Sequence, residues 1–122
     1  MVDKWQALQS FWQSFGLPAY DENTVPQHAE LPYITYEAKT ANFENVLSLT
    51  ASIYYRSTSW SEISQKAAEI ASAIGYGSKI IPISGGYLRI AQGAPFAQRM
   101  SGENDSIRRM IININCEYYT AN

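Results

Sequence analysis

The chain has 122 residues, of which 46% are hydrophobic and 16% charged, with a formal net charge of −2 and an isoelectric point near 5.3. That length suits one domain with a real core, and the composition argues against global disorder. The slight acidity leaves no whole-chain footprint for general nucleic-acid binding, and no run approaches the ~18 apolar residues of a membrane span.

The N-terminal segment reads as a helix from about Asp3 to Phe15. Trp5, Leu8, Phe11, Trp12 and Phe15 recur at helical spacing and form one broad apolar stripe. Asp3 and Gln6 have capping-box spacing, and Gly16 followed by Pro18 ends the helix. Charge and glutamine inside the apolar pattern exclude a signal peptide. Residues 16–30 carry two prolines and no periodicity, which predicts a loop. His28, the single histidine, lies there and reads as solvated.

"LPYITYEA" reads as a strand, with Pro32 at its start, and "TANF" as a turn. In "NVLSLTASIYYRS", Leu47, Leu49, Ala51, Ile53 and Tyr55 alternate with Ser48, Thr50, Ser52 and Tyr54. A period of two with one apolar and one hydroxyl-rich face belongs to an antiparallel sheet covered on one side. A second helix follows from about Ser61 to Ile74. Its narrow stripe is Ile63, Ala67, Ile70, Ala71 and Ile74, Ser59 and Glu62 have capping-box spacing, and Gly75 ends it.

Three more strands are expected. "KIIPIS" is short, and its Pro82 predicts an edge position or a bulge. Gly85-Gly86 supplies a tight turn into "YLRIAQ". "GAPF" reads as an apolar turn, and residues 101–106 as a polar hairpin tip. In "IRRMIININCEYY", Met110, Ile112, Ile114, Cys116 and Tyr118 share one face, and Arg109, Ile111, Asn113, Asn115 and Glu117 the other. The expected fold is α+β: a mixed, mostly antiparallel sheet of four to five strands, two helices on one face, order α-β-β-α-β-β-β, in a single domain spanning residues 1–122.

The residues offer no chemistry. One cysteine and one histidine do not make a zinc set, and Cys116 reads as a small buried hydrophobe. There is no G-x-S-x-G elbow, and "GYGSKIIPISGG" matches no phosphate-binding loop. The carboxylate pairs Asp21-Glu22 and Glu103 near Asp105 lie in wet loops where nothing would tune one acid away from the other. Arg89, Arg99, Arg108 and Arg109 fall within 21 residues, either as solvated side chains or as a local basic surface facing a subunit or a phosphate backbone.

The element order and several strings resemble the tail terminator (tail completion, or tail-to-head joining) proteins of long-tailed bacteriophages. The matching features are the aromatic N-terminal helix, the loop with "VP" leading into "LPYITYE", "NVLSLTASIYY", "SWSEISQKAAEIASAIG" and "GGYLRIAQGAPFAQRM…IRRMIININCEYY". The resemblance covers nearly the whole chain and is one of elements and turn residues, without a catalytic signature. It implies a non-enzymatic virion protein with no cofactor, which forms a homo-oligomeric, hexameric ring at the head-proximal end of the tail. The implied partners are the tail tube protein and a head-neck connector or stopper protein, with DNA only passing through the lumen and no membrane. A closed ring needs two different contact surfaces per subunit. Phe96, Arg99, Met100, Arg108 and Arg109 are the candidate subunit or tube contact, with Phe96 as apolar anchor. Ser48 and Ser52 on the polar strand face are a second candidate. The alternatives are another neck component, such as a head-closure protein, or a non-viral ligand-binding α+β module.

Overall fold

A computed structural model describes residues 2–41, 46–101 and 104–120. Helix α1 (Lys4–Gln13) opens with the expected capping box: Gln6 N–H donates to Asp3 Oδ1 at 2.8 Å, and Asp3 N–H to Gln6 Oε1 at 3.2 Å. Its buried side chains are Ala7, Leu8, Phe11 and Trp12, with Phe15 buried just beyond its end. Trp5, assigned to the stripe by spacing, is instead 51% exposed; the inward face turns through Ala7. Phe11 meets Trp12 and Phe15 edge-on, with centroids 4.9 and 5.3 Å apart, the arrangement that ring quadrupoles favour.

The strands are β1 (Ala19–Asp21), β2 (Tyr33–Tyr36), β3 (Val46–Arg56), β4 (Lys79–Ile83), β5 (Gly86–Met100) and β6 (Ile107–Thr120), with helix α2 (Ser61–Ile74) between β3 and β4. They form one six-stranded sheet in the order β1-β2-β3-β6-β5-β4. The strand count and element order differ from expectation because β1 lies inside the supposed loop. It pairs parallel to β2, and two backbone bonds hold its ends: Ile34 N–H to Pro18 O at 2.8 Å and Glu22 N–H to Tyr36 O at 2.9 Å. A three-residue strand has no periodicity to detect; a tertiary partner creates it. All other pairings are antiparallel.

Three further expectations are corrected. "GAPF" is no turn: β5 runs through it to Met100, absorbing the sequence in an irregularity between Gln92 and Ala97. Such a bulge lets a strand keep its partner while carrying a proline. The β4–β5 turn is Ser84-Gly85, with Gly85 at φ 78° and Gly86 already paired to Thr120. The capping box of α2 does not form. Trp60 is the N-cap residue and makes no side-chain cap, while Ser59 Oγ accepts from Ser61 N–H at 3.0 Å. Gly75 does end α2, at φ 78°. The "TANF" turn lies partly outside the described residues.

Both helices cover the same face of the sheet. Leu49, Ala51, Ile53, Leu88, Ile90, Ile112, Ile114, Cys116 and Tyr118 meet Leu8, Phe11, Trp12, Ile63, Ala67 and Ile70 in one core. The alternations in β3 and β6 are those of the sequence pattern. Tyr118, fully buried, donates its hydroxyl to Lys39 O at 2.9 Å, which satisfies both groups.

Candidate functional site

The hairpin β5–β6 does not gather its arginines into one surface. Residues on a strand alternate between faces, so neighbours in sequence part company. Arg99 pairs in register with Met110, and Arg108 with Tyr55, both core-face positions. The two guanidiniums accordingly reach the helix side and lie over the Trp60 ring, 4.9 and 5.3 Å from its centroid. Arg108 also donates through Nη2 to Thr58 O at 2.8 Å and through Nη1 to Asp105 O at 3.2 Å. Its Nε is buried with no hydrogen-bond partner. These arginines fasten the root of the hairpin to the N-terminus of α2.

Arg109 points to the opposite, helix-free face. Its Nε and Nη2 donate to Ser52 Oγ at 3.2 and 3.1 Å, and its guanidinium lies 5.5 Å from the Tyr54 centroid. The row continues through Tyr33 (5.1 Å from Tyr54) to Tyr20 (5.8 Å from Tyr33), one cross-strand ladder over β6, β3, β2 and β1. Such cross-strand pairs are the unit of sheet stability. Burial, then the neighbouring Tyr54 and Tyr20, raise the Tyr33 hydroxyl above its ordinary pKa. Tyr33, Tyr54, Arg56, Ser101, Asn104 and Arg109 are among the residues lining a groove of about 500 Å³ at this end of the sheet.

Further down the same face, Arg89 Nη1 bonds Glu117 Oε1 at 2.7 Å and Tyr119 donates a short hydrogen bond to the other oxygen of Glu117. That bond, more than burial, raises the Tyr119 hydroxyl above its ordinary pKa. Tyr87 stacks on Tyr119 with centroids 4.6 Å apart.

The expected interface residues therefore separate into engaged and available groups. Ser52 is only 7% exposed and already holds Arg109, so it is not a free polar contact. Phe96 is half-buried against the chain's own core, and Met100 is half-buried. Arg99 and Ser48 are exposed, Ser48 with its hydroxyl on Asn115 Oδ1 at 3.2 Å. Glu103 lies outside the described residues. Cys116 is fully buried, and desolvation pushes its thiol up to about 12, far from a nucleophile's range. Among the described residues no three His, Cys, Asp or Glu side chains come together as metal ligands. Among the described residues no helix is long and apolar enough to cross a membrane.

Sequence reading did not anticipate where the sheet ends. Neither β3 nor β5 is paired, among the described residues, along both sides for its whole length. Among the described residues, β2 pairs with β3 only at Ala51–Tyr54, and β4 pairs with β5 only at Gly86–Ile90. This leaves Val46–Leu49 of β3 and Ala97–Met100 of β5 without a strand beyond them. Thr50 shows which groups face outward: its C=O accepts from Glu37 N–H at 2.9 Å and its N–H donates to Glu37 Oε1 at 3.3 Å. Two and four residues earlier, the peptide groups of Ser48 and Val46 point the same way. Val46 is 57% exposed. Ser48 lies on one open segment; Arg99 and Met100 lie on the other, with Phe96 at its start.

No protein-family profile matches the sequence, and no curated protein matches it. Among solved structures, the fold recurs in a chain of the structure titled "Virion of native gene transfer agent (GTA) particle". The TM-score is 0.54 at 15% identity, over 90% of this chain and 82% of that one. At that identity the likeness is one of fold.

Proposed function

We propose that this chain is a structural virion protein of a phage-like particle, and within it the tail terminator: a ring that caps the finished tail tube, ends tube polymerisation and offers a surface to the head-neck connector. The observation that carries the reading is the shared fold with a chain of a gene transfer agent virion over nine-tenths of this sequence. The sequence resemblance to tail terminators supports the finer role. Two open strand segments on opposite sides of one sheet also fit, since a closed ring brings two different surfaces of each subunit together. In this reading the protein works by shape and contact rather than by catalysis. Its partners are further copies of itself, the tube protein and the neck protein, and DNA passes through the lumen.

The test is electron microscopy of the purified protein with and without tail tubes. The expected result is a six-fold ring seated at one end of each tube, with tubes overgrown when the protein is withheld. Tubes of normal length in its absence refute the terminator role and favour a head-closure component instead.

A further inference from the structure

We infer that the groove at the hairpin end of the helix-free face is a recognition site for a short acidic peptide segment, carried by a protein chain other than this one. The inference goes beyond the tail-cap reading and does not depend on it.

Three observations carry it. The first is unbalanced charge. Arg56 and Arg109 both line the groove, and among the described residues no Asp or Glu does. Tyr54 stands opposite Arg109 and Arg56 opposite Ile107, so the two arginines are diagonal neighbours on one face, roughly 7–8 Å apart. Arg56 is exposed and has no hydrogen-bond or ion-pair partner among the described residues. Like charges this close repel, and a carboxylate placed between them turns repulsion into two attractions.

The second is the kind of polar group the groove presents. Arg109 uses two of its five N–H groups on Ser52 Oγ, at 3.2 and 3.1 Å, and rests its guanidinium over Tyr54. The remaining three are held in a fixed fork, so binding orders little that is not already ordered. Asn104 uses its Oδ1 to accept from Ser106 N–H and Ser106 Oγ at 2.8 and 2.7 Å, which leaves its amide N–H groups to donate. The hydroxyls of Tyr33 and Tyr54 complete the lining. A lining of donors suits a ligand rich in acceptors: a carboxylate for the guanidiniums, peptide carbonyls for the amide and the phenols.

The third is the apolar part. Ala29, Leu31 and Ile107 also line the groove, so an apolar side chain next to the acidic one has a seat. The volume of about 500 Å³ falls within the roughly 300–1,000 Å³ of ligand pockets and holds a short extended segment. A nucleic-acid strand fits less well. Tyr54 has Arg109 over its ring, and Tyr33 packs on both Tyr54 and Tyr20, so these rings are not a free platform for bases. Exposed Glu30 and Asp105 sit next to lining residues in the chain, so a long polyanion meets negative charge at the rim. A second copy also fits less well. Its paired acids Asp21-Glu22 follow buried Ala19 and ladder-bound Tyr20, and Asp21 Oδ1 already accepts from Asn23 N–H at 2.9 Å.

Fluorescence anisotropy of dye-labelled capped peptides tests this on the whole chain. The probe is acetyl-Leu-Glu-Leu-Glu-amide and the control is acetyl-Leu-Gln-Leu-Gln-amide. The glutamate peptide is expected to bind at least tenfold more tightly than the glutamine peptide. Arg56→Gln, at an exposed side chain whose loss does not threaten the fold, is expected to weaken it fivefold or more. Arg109→Lys keeps the charge but loses the fork, and is expected to weaken it threefold or more. Lys79→Gln, the same charge change on the far edge strand β4, is expected to leave it within twofold. Equal affinity for the two peptides, or an Arg56→Gln protein that binds as the parent does, overturns the site. A thymidine octanucleotide that binds more tightly than the glutamate peptide, and loses that binding in Arg56→Gln, assigns the groove to a phosphodiester and overturns the peptide. Sedimentation velocity of Arg56→Glu is expected to show the parent's oligomeric state; self-association lost there assigns the groove to a second copy and overturns the foreign partner. The tail-cap reading is judged separately, by tube length and by the ring at the tube end.

Discussion

Replacing Trp60 tests whether the arginines of the hairpin root are internal fasteners. The ring is half-buried against the core, with two guanidiniums over it. Half the area of an aromatic side chain, about 100 Å², contributes about 2–3 kcal/mol at roughly 25 cal/mol per Å². Two partly exposed cation–π contacts add about 0.5–1 kcal/mol each. Trp60→Ala should therefore cost about 3–5 kcal/mol, consistent with large aromatic truncations generally. Urea unfolding followed by far-ultraviolet circular dichroism measures this without relying on tryptophan fluorescence. The decisive quantity is the coupling. Arg99→Met and Arg108→Met, each combined with Trp60→Ala in a double-mutant cycle, should show coupling energies of about 0.5–1 kcal/mol. Arg108→Met alone should be milder than its contacts suggest. It loses bonds to two exposed residues, whose carbonyls water can take over, and it removes a buried Nε that has no partner. Coupling below about 0.3 kcal/mol for both pairs would refute the fastening role and return these arginines to the free surface.

Three further outcomes are expected. Tyr118→Phe strands the Lys39 carbonyl beside a buried ring and should cost about 1–2 kcal/mol in the same urea assay; an unchanged midpoint would count against that hydrogen bond. Gly86→Ala would place a Cβ 1.7 Å from the Tyr119 carbonyl oxygen, backbone that cannot yield cheaply. A loss of about 3 kcal/mol or more is expected, and a thermal midpoint within a degree of the parent would refute the close approach. Cys116 links stability to alkaline pH. Its thiol stays protonated when folded up to about 12 but ionises from about 9 when unfolded, so the unfolded state holds fewer protons between those values and stability falls as pH rises through that window. The slope from this one group approaches about 1.4 kcal/mol per pH unit within that window and vanishes below pH 9, where its contribution is fully present. Cys116→Val should flatten the decline between pH 9 and 10, and an identical slope in both proteins would refute the linkage.

What could be read from the residues is what local pattern dictates. Both helices, the inward faces of β3 and β6, and the Asp3 cap follow from spacing alone, because burial on one side of a repeating element leaves a repeating trace. β1 left none: three residues become a strand only because β2 lies beside them. The extension of β5 through Ala94-Pro95 was hidden because a proline and two small residues imitate a turn, whereas pairing with β6 on one side suffices to hold them. The arginines were legible as a cluster in sequence but not in space, since adjacent Arg108 and Arg109 necessarily face opposite sides. Ser52 looked like a free hydroxyl because its partner is 57 residues away. The open strand segments were beyond sequence altogether; they are set by the unequal lengths of strands that meet only after folding.

The position of β6 bears on how the protein is made. It is the strand latest in the sequence, yet it lies at the middle of the sheet, with β3 along one side and β5 along the other. While a ribosome is still translating residues 107–120, β1-β2-β3 and the β4–β5 hairpin have no strand to join them, and the apolar faces of both halves stay uncovered. The core closes only once that segment has joined β3 to β5. Folding is therefore dominated by contacts distant in sequence. Until then both long strands are open along their inner as well as their outer sides, and the nascent chain has most to gain from a chaperone in that interval.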